Sequence, residues 1–255
     1  MDTTYSETQN NNRAPEIRTL DDTAPYGWLR NGWHDFRQAT VPSLTLGLLF
    51  VVAGYALVSA SWNIPLLTIT FVTGFLLVAP ALALGFYEIS RRLHGGEHAG
   101  FSSLLYSWKT HGWPVLLFGL LLGIVMVAWG RVTGLLVALS LPAIGPFNDL
   151  LSWQALTDPV FIALYMTVGF VLAALVFSLS VVSIPMLIDR KVDVITAAMT
   201  SLRAVGKNPR VMFRWAFIIA LLTILGMFTA FIGLLIIMPL LGHASWHAYK
   251  ETVAE

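Results

Sequence analysis

Long apolar runs alternate along this chain with short segments in which apolar and polar positions repeat at helical spacing. The runs cover residues 44–60, 66–87, 113 to beyond 129, 160–188 and 211–246. A helix of about 20 residues rises about 30 Å, which matches the hydrocarbon core of a bilayer. Each run is therefore predicted to cross a membrane. The last run is long enough for two crossings if the chain turns near Gly226–Gly233. A single crossing there, and five in all, is the alternative.

Three short amphipathic segments each precede a crossing. Their apolar or small residues recur at i, i+3, i+4 and i+7, on one face of an α-helix, and a basic residue follows directly. The spacing therefore predicts three short helices that lie on the membrane surface. The three sets are Leu29, Gly32, Trp33 and Phe36 before Arg37; Phe101, Leu104, Leu105 and Trp108 before Lys109; and Ile195, Ala198, Met199 and Leu202 before Arg203.

The shared order of these elements predicts a three-fold internal repeat. Each amphipathic segment leads to a proline, Pro42, Pro114 or Pro209, that suits the first turn of the next helix. We therefore expect a break between the surface helix and the crossing in every copy. Chance similarity is the alternative, because short amphipathic helices are common. The copies would cover about residues 26–92, 101–191 and 192–250.

Composition supports a membrane protein. Hydrophobic residues make up 56% of the chain and charged residues only 11%, against about 25% charged in soluble domains. The net charge of +1 gives no basic field for nucleic acid, and the absence of cysteine excludes thiolate chemistry. Residues 1–25 are polar and are predicted to be a disordered cytoplasmic tail. Residues 26–255 are predicted to form a single all-α domain, a polytopic bundle of six transmembrane helices with three amphipathic helices on its cytoplasmic face.

Basic residues fall on one side of this predicted bundle. With six crossings, both termini and the loops 88–112 and 188–210 share a side, and all but one of the 15 Lys and Arg residues lie on that side or at its edge. The exception is Arg131. Because basic residues concentrate on the cytoplasmic side, both termini are predicted to be cytoplasmic in a multi-pass protein of a bacterial inner membrane.

The best candidate for a ligand-binding site in the sequence is a pair of histidines, His243 and His247, four residues apart. On a helix they share a face and could bind one metal ion. Histidines 34, 94, 98 and 111 lie on the same predicted side, so a haem or transition-metal site could draw on the set. The alternative is that these histidines, with Trp246 and Tyr249, anchor helices at the lipid headgroups.

Three other residues are candidates for function. Arg203 and Asn208 precede the last run and are expected to face the C-terminal histidines. Arg131 lies about 27 Å along its crossing, where it could reach the far interface or line a pathway. The crossings contain no acidic residue, which disfavours an ion-coupled pump. No nucleophile–base arrangement or phosphate loop is present, so no enzymatic activity is predicted.

Four stretches resemble the DUF2189 family of bacterial integral membrane proteins, over roughly residues 39–251. The resemblance implies a membrane protein of uncharacterised activity. Some members carry the label of putative cytochrome c oxidase, which would imply haem and copper ligands. The stretches are GFYEISRRL at 85–93, Gly96–Glu97, TAAMTSLRAVGKNP at 196–209 and MPLLGHASWHAYKE at 238–251.

The function expected first is non-enzymatic and needs no cofactor: an accessory or assembly role, or the handling of a small molecule in a cleft between repeats. One alternative is a haem- or metal-binding redox protein related to respiratory oxidases, using His243 and His247. Another is a passive channel or carrier with a water-lined cavity near Arg131. The expected partners are the lipid bilayer and either a membrane protein or a second copy of the chain.

Overall fold

A computed structural model describes residues 15–97, 99–144 and 158–254, with the side chains of 101–112 and 140–144 outside the description. Ten helices make up almost all of these residues, and no β-strand occurs among them. The helices are α1 Ala24–Gln38, α2 Thr40–Ser61, α3 Pro65–Leu82, α4 Leu84–His94, α5 Phe101–Ile144, α6 Pro159–Ser180, α7 Ser183–Asp189, α8 Val194–Lys207, α9 Pro209–Phe228 and α10 Leu234–Thr252.

Five stretches of these helices are long and apolar enough to cross a membrane. Helix α10, which would supply the predicted sixth crossing, is not among them, because its second half is the polar sequence GHASWHAYKET. The five stretches are Thr40–Ser61, Pro65–His94, Trp113–Leu139, Pro159–Asp189 and Pro209–Phe228.

Large apolar side chains cover the outside of these stretches. Leu120, Ile124, Phe170 and Phe213 each expose more than 60% of their surface. Water-soluble proteins rarely present such side chains in continuous patches. Since they lie on helices of transmembrane length, these side chains contact lipid. The protein is therefore integral to a membrane.

The long C-terminal apolar run turns within the predicted stretch. Helix α9 ends at Phe228 and α10 begins at Leu234. Between them Ala230 and Phe231 have φ angles of 51° and 64°, in the left-handed region that non-glycine residues seldom adopt. The Thr229 hydroxyl accepts a hydrogen bond from the Gly233 N–H at 2.7 Å. The turn sends α10 back along α2, where Gly54 packs against Phe231 and Ser43 meets His243.

The predicted breaks between surface helix and crossing occur in the first and third copies. Ala39 separates α1 from α2 with φ −121° and ψ 45°, and Asn208 separates α8 from α9 with φ −123° and ψ 51°. The N–H of each donates to the carbonyl four residues earlier, at 3.0 and 3.1 Å. In the second copy the predicted break is wrong, because α5 continues through Pro114 from Phe101 to Ile144. An interior proline removes one backbone hydrogen bond without having to end a transmembrane helix.

Residues 15–23 are docked rather than part of a disordered tail. The Arg18 N–H donates to the Thr252 carbonyl at 2.8 Å, and the Ala254 N–H donates to the Glu16 carbonyl at 2.9 Å. The Lys207 ammonium donates to the Ile17 carbonyl at 2.5 Å. The predicted tail boundary at residue 25 is therefore too late, while residues 1–14 lie outside the described residues. These bonds bring the two ends of the described chain together.

Candidate functional site

A buried hydrogen-bond chain crosses the junction of α1, α2, α4 and α10. At its centre His243 of α10 is fully buried. Its Nε2 lies 2.9 Å from the Ser43 hydroxyl of α2, and its Nδ1 lies 2.8 Å from the Ser90 hydroxyl of α4. Both ring nitrogens are thus satisfied inside the protein, as burial of a polar ring requires.

Asp35 fixes the direction of this chain. The Ser90 hydroxyl donates its one proton to Asp35 Oδ2 at 2.6 Å, so it can only accept at His243. Burial favours the neutral form of the His243 ring, so its one proton lies on Nδ1 and Ser43 donates to the unprotonated Nε2. The result is an ordered chain from Ser43 through a neutral His243 and Ser90 to the carboxylate of Asp35.

The carboxylate has a second partner that leads towards the surface. His247, one turn beyond His243, brings its Nε2 to 2.8 Å from Asp35 Oδ2. Burial alone raises the pKa of Asp35, but the hydrogen bonds from His247 and Ser90 outweigh burial, and the pKa lies below its ordinary value. Asp35 is therefore ionised at neutral pH although its side chain is buried.

An open cleft of about 280 Å³ adjoins this carboxylate. Its α1 wall consists of residues spaced i, i+3, i+4 and i+7, which lie on one helix face. His34 and Gln38 are 2.6 Å apart through their Nε2 atoms, and the rings of His94 and His247 lie 6.5 Å apart. The lining residues are Asn31, His34, Asp35 and Gln38 from α1, Leu93 and His94 from α4, and His247 from α10.

The hydrogen bonds of His243 bear on the metal site predicted from the sequence. Within the described chain no three His, Cys, Asp or Glu residues are grouped so that they could hold a metal ion. His243 already uses both nitrogens on serines, so its donor set does not fit haem or copper. His98 and the side chain of His111 lie outside the described residues. The metal site predicted on His243 and His247 stays a prediction.

Trp246 and Tyr249 are core residues, which corrects their interpretation as headgroup anchors. Trp246 is 1% exposed and Tyr249 is fully buried. The Tyr249 hydroxyl donates to Asp189 Oδ2 at 2.7 Å and accepts from Arg190 Nε at 3.0 Å. Arg190 also donates to the Ala254 carbonyl at 2.6 Å. These contacts hold the end of α10 against the end of α7.

The other candidates lie away from the cleft. Asn208 binds the N-terminal segment: its Oδ1 accepts from the Leu20 N–H at 2.9 Å, and its Nδ2 donates to the Arg18 carbonyl at 3.0 Å. Arg203 is exposed on α8, so neither residue faces the C-terminal histidines as expected. Arg131 is exposed near the end of the Trp113–Leu139 stretch.

Sequence reasoning missed three members of the buried hydrogen-bond chain, Asp35, Ser43 and Ser90. One signal for Asp35 was available, because it directly precedes Phe36, a residue of the predicted apolar face of α1. A carboxylate in that position has to be paired. The two serines gave no signal, since single hydroxyls are common in membrane helices.

One comparison with known proteins found a match. Residues 66–189 match the family model described as "Predicted integral membrane protein (DUF2189)". The match confirms the family resemblance over a shorter range than expected. It includes GFYEISRRL and Gly96–Glu97 but not the stretches at 196–209 and 238–251. No curated protein and no solved structure matches the chain.

Proposed function

The chain is an integral membrane protein whose residues 66–189 match the DUF2189 family, and we propose that it binds a small polar solute at the cleft without converting it. The observation that carries this proposal is the ionised Asp35 in the lining of the cleft. Among the described residues its hydrogen bonds go to Oδ2, which leaves Oδ1 to accept a bond from a ligand. An ammonium or another N–H donor complements this site best.

Burial of the serine–histidine pair supports a non-enzymatic role. Ser43 and His243 form a hydroxyl–imidazole pair of the kind that can activate a nucleophile. Both side chains are fully buried, and neither lines the cleft. A bound solute would not reach the hydroxyl, so binding and release fit the geometry better than acyl or phosphoryl transfer. An accessory or assembly role for the protein would use the same site to sense or present the solute.

The joined chain ends support an even number of crossings. Segments linked by direct backbone hydrogen bonds, such as Arg18 and Thr252, lie on one side of a bilayer. Five crossings would separate them, which supports a return of α10 beside α9 to the membrane surface where the described chain begins. We therefore propose six membrane-embedded helices, with α1 and α8 at the surface that holds the termini. With this arrangement that side, with its terminal segments, loops and adjoining helix ends, carries all the basic residues except Arg131, which supports a cytoplasmic location for both termini and for the cleft, in a bacterial inner membrane.

A matched panel of solutes tests the proposed binding. Putrescine, succinate and 1,4-butanediol have similar lengths and carry positive, negative and no charge. We expect titration calorimetry on the full chain in nanodiscs to detect putrescine alone. Asp35→Asn should weaken its binding about tenfold or more, because a charge-assisted hydrogen bond is lost.

The control removes a carboxylate outside the lining. Glu97→Gln changes an exposed residue that pairs with Arg92 at 3.5 Å, and it should leave putrescine binding unchanged. Equal binding of the three solutes, or binding that Asp35→Asn and Glu97→Gln weaken alike, would contradict the proposal.

A further inference from the structure

Helix α8 packs against the protein with its small residues and turns its large apolar residues outward. Ala197, Ser201 and Ala204 are buried. On the opposite face Ile195 is 75% exposed, Met199 48% and Leu202 37%. A surface helix of a water-soluble protein has the reverse arrangement. The outward face of α8 therefore requires an apolar neighbour.

The depth of α8 indicates what that neighbour is. The Ser201 hydroxyl accepts a hydrogen bond from the Val182 N–H at 3.2 Å. Val182 is the second residue after α6, whose 22 residues span about 33 Å, the thickness of a hydrocarbon core. The middle of α8 thus lies beside the membrane end of α6, at the boundary between acyl chains and headgroups. Asn208 alone separates α8 from α9, which exposes Phe213 and Phe217, so the apolar surface continues into a crossing.

Charges around α8 are mainly positive. Lys191, Arg203 and Arg210 are exposed at its two ends and along its flank. The nearby acidic residue, Asp193, caps the helix by accepting from the Ile195 and Thr196 N–H groups, each at 2.9 Å. An exposed apolar face bordered by basic side chains is typical of helices that bind anionic lipid surfaces.

We propose that α8 is a lipid-binding helix whose outward face lies among the acyl chains of anionic phospholipids, with Arg203 and Arg210 on their phosphate groups. The proposal does not involve the cleft, so its failure would leave the proposed solute binding untouched. It requires only that the described end of the bundle lies at a membrane surface.

Site-directed fluorescence on the full chain tests this inference. The sequence contains no cysteine, so Ile195→Cys and Met199→Cys can each be labelled with an environment-sensitive dye in nanodiscs. Bromination of the acyl chains of phosphatidylglycerol or phosphatidylcholine then reports which lipid lies nearby. We expect stronger quenching by the brominated anionic lipid, with a preference of about fivefold or more, the effect of one basic side chain near an anionic surface.

Charge variants distinguish specific binding from general contact. Arg203→Gln/Arg210→Gln should abolish the anionic preference, whereas the matched pair Arg30→Gln/Arg37→Gln on α1 should retain it. The thermal midpoint in detergent should not change in either pair, because these arginines are exposed. A dye in an apolar environment that neither brominated lipid quenches would mean that protein covers this face. Either that result, or equal quenching by both lipids, would overturn the proposal.

Discussion

Proton positions in the buried chain follow from three side chains. Because Ser90 has one proton and gives it to Asp35, the tautomer of His243 and the role of Ser43 are determined. The members of the chain are separated by 55, 153 and 200 residues in sequence. Sequence periodicity describes the faces of one helix and carries no information on which helices pair, so this site could not be assembled from the sequence.

Substitution of Ser90 should disturb the buried hydrogen-bond chain most, because Ser90 links Asp35 to His243. Ser90→Ala removes the donor to Asp35 and leaves the His243 Nδ1–H without an acceptor. We expect unfolding in mixed micelles to show a loss of about 1–3 kcal/mol in the free energy of unfolding, the cost of unsatisfied buried polar groups. Ser178→Ala is the control, because Ser178 is only half-buried and bonds its own helix, and its effect should stay within about 0.5 kcal/mol. Equal effects of the two substitutions would mean that the buried hydrogen-bond chain does not stabilise the fold.

Among the elements, the crossings were predicted best, whereas the sequence did not predict what covers the apolar faces of the surface helices. The apolar runs gave both ends of α2 and the starts of α3, α6 and α9 within a few residues, because length and apolarity are local properties of the chain. The run 160–188 continues eight residues past the end of α6, into α7. For α8 the face formed by Ile195, Met199 and Leu202 was recognised, yet it points away from the protein. In a membrane an apolar face does not reveal whether protein or lipid covers it.

The α9–α10 hairpin should end inside the bilayer. Phe231 in its turn packs at Gly54 of α2, and α2 continues to Ser61, about 10 Å further at the rise of an α-helix. The turn sequence TAFIG contains no charge, and Ile232 is 60% exposed. We expect Ala230→Cys to resist a membrane-impermeant maleimide in intact cells.

The α2–α3 turn provides the comparison for this labelling. Asn63 is exposed in that turn, so Asn63→Cys should react readily from the far side. Labelling of Ala230→Cys at the same rate would show instead that α9 and α10 both traverse the full bilayer.

At the scale of the whole molecule, the two ends of the described chain form one structure. Ile17 and Val253 are paired as an isolated antiparallel bridge. This pairing joins residues that no sequence pattern connects, which is why the N-terminal segment was predicted to be disordered. Its polar composition is typical of a tail, but the partners that order it, Asn208, Lys207 and the end of α10, are far along the chain.

A disulfide can report this pairing directly. Directly opposite residues of an antiparallel bridge have Cα atoms about 4.5–5.5 Å apart, within the range a disulfide accepts. We expect Ile17→Cys/Val253→Cys to form an intramolecular disulfide on mild oxidation in membranes and to raise the thermal midpoint. Ile17→Cys/Trp62→Cys should not cross-link, because Trp62 follows the far end of α2. Failure of the first pair to cross-link, or cross-linking of both, would contradict the shared location of the chain ends.

The antiparallel bridge between Ile17 and Val253 also determines when, during synthesis, the fold can be completed. Residues 16–18 are synthesised before the first described helix, but their backbone partners at 252–254 follow only at the end of α10. The segment at residues 16–18 therefore lacks these backbone partners while the helices are inserted. The pairing can therefore form only after α10 has been made, so a ribosome that stalls before that helix leaves a protein that is inserted but open.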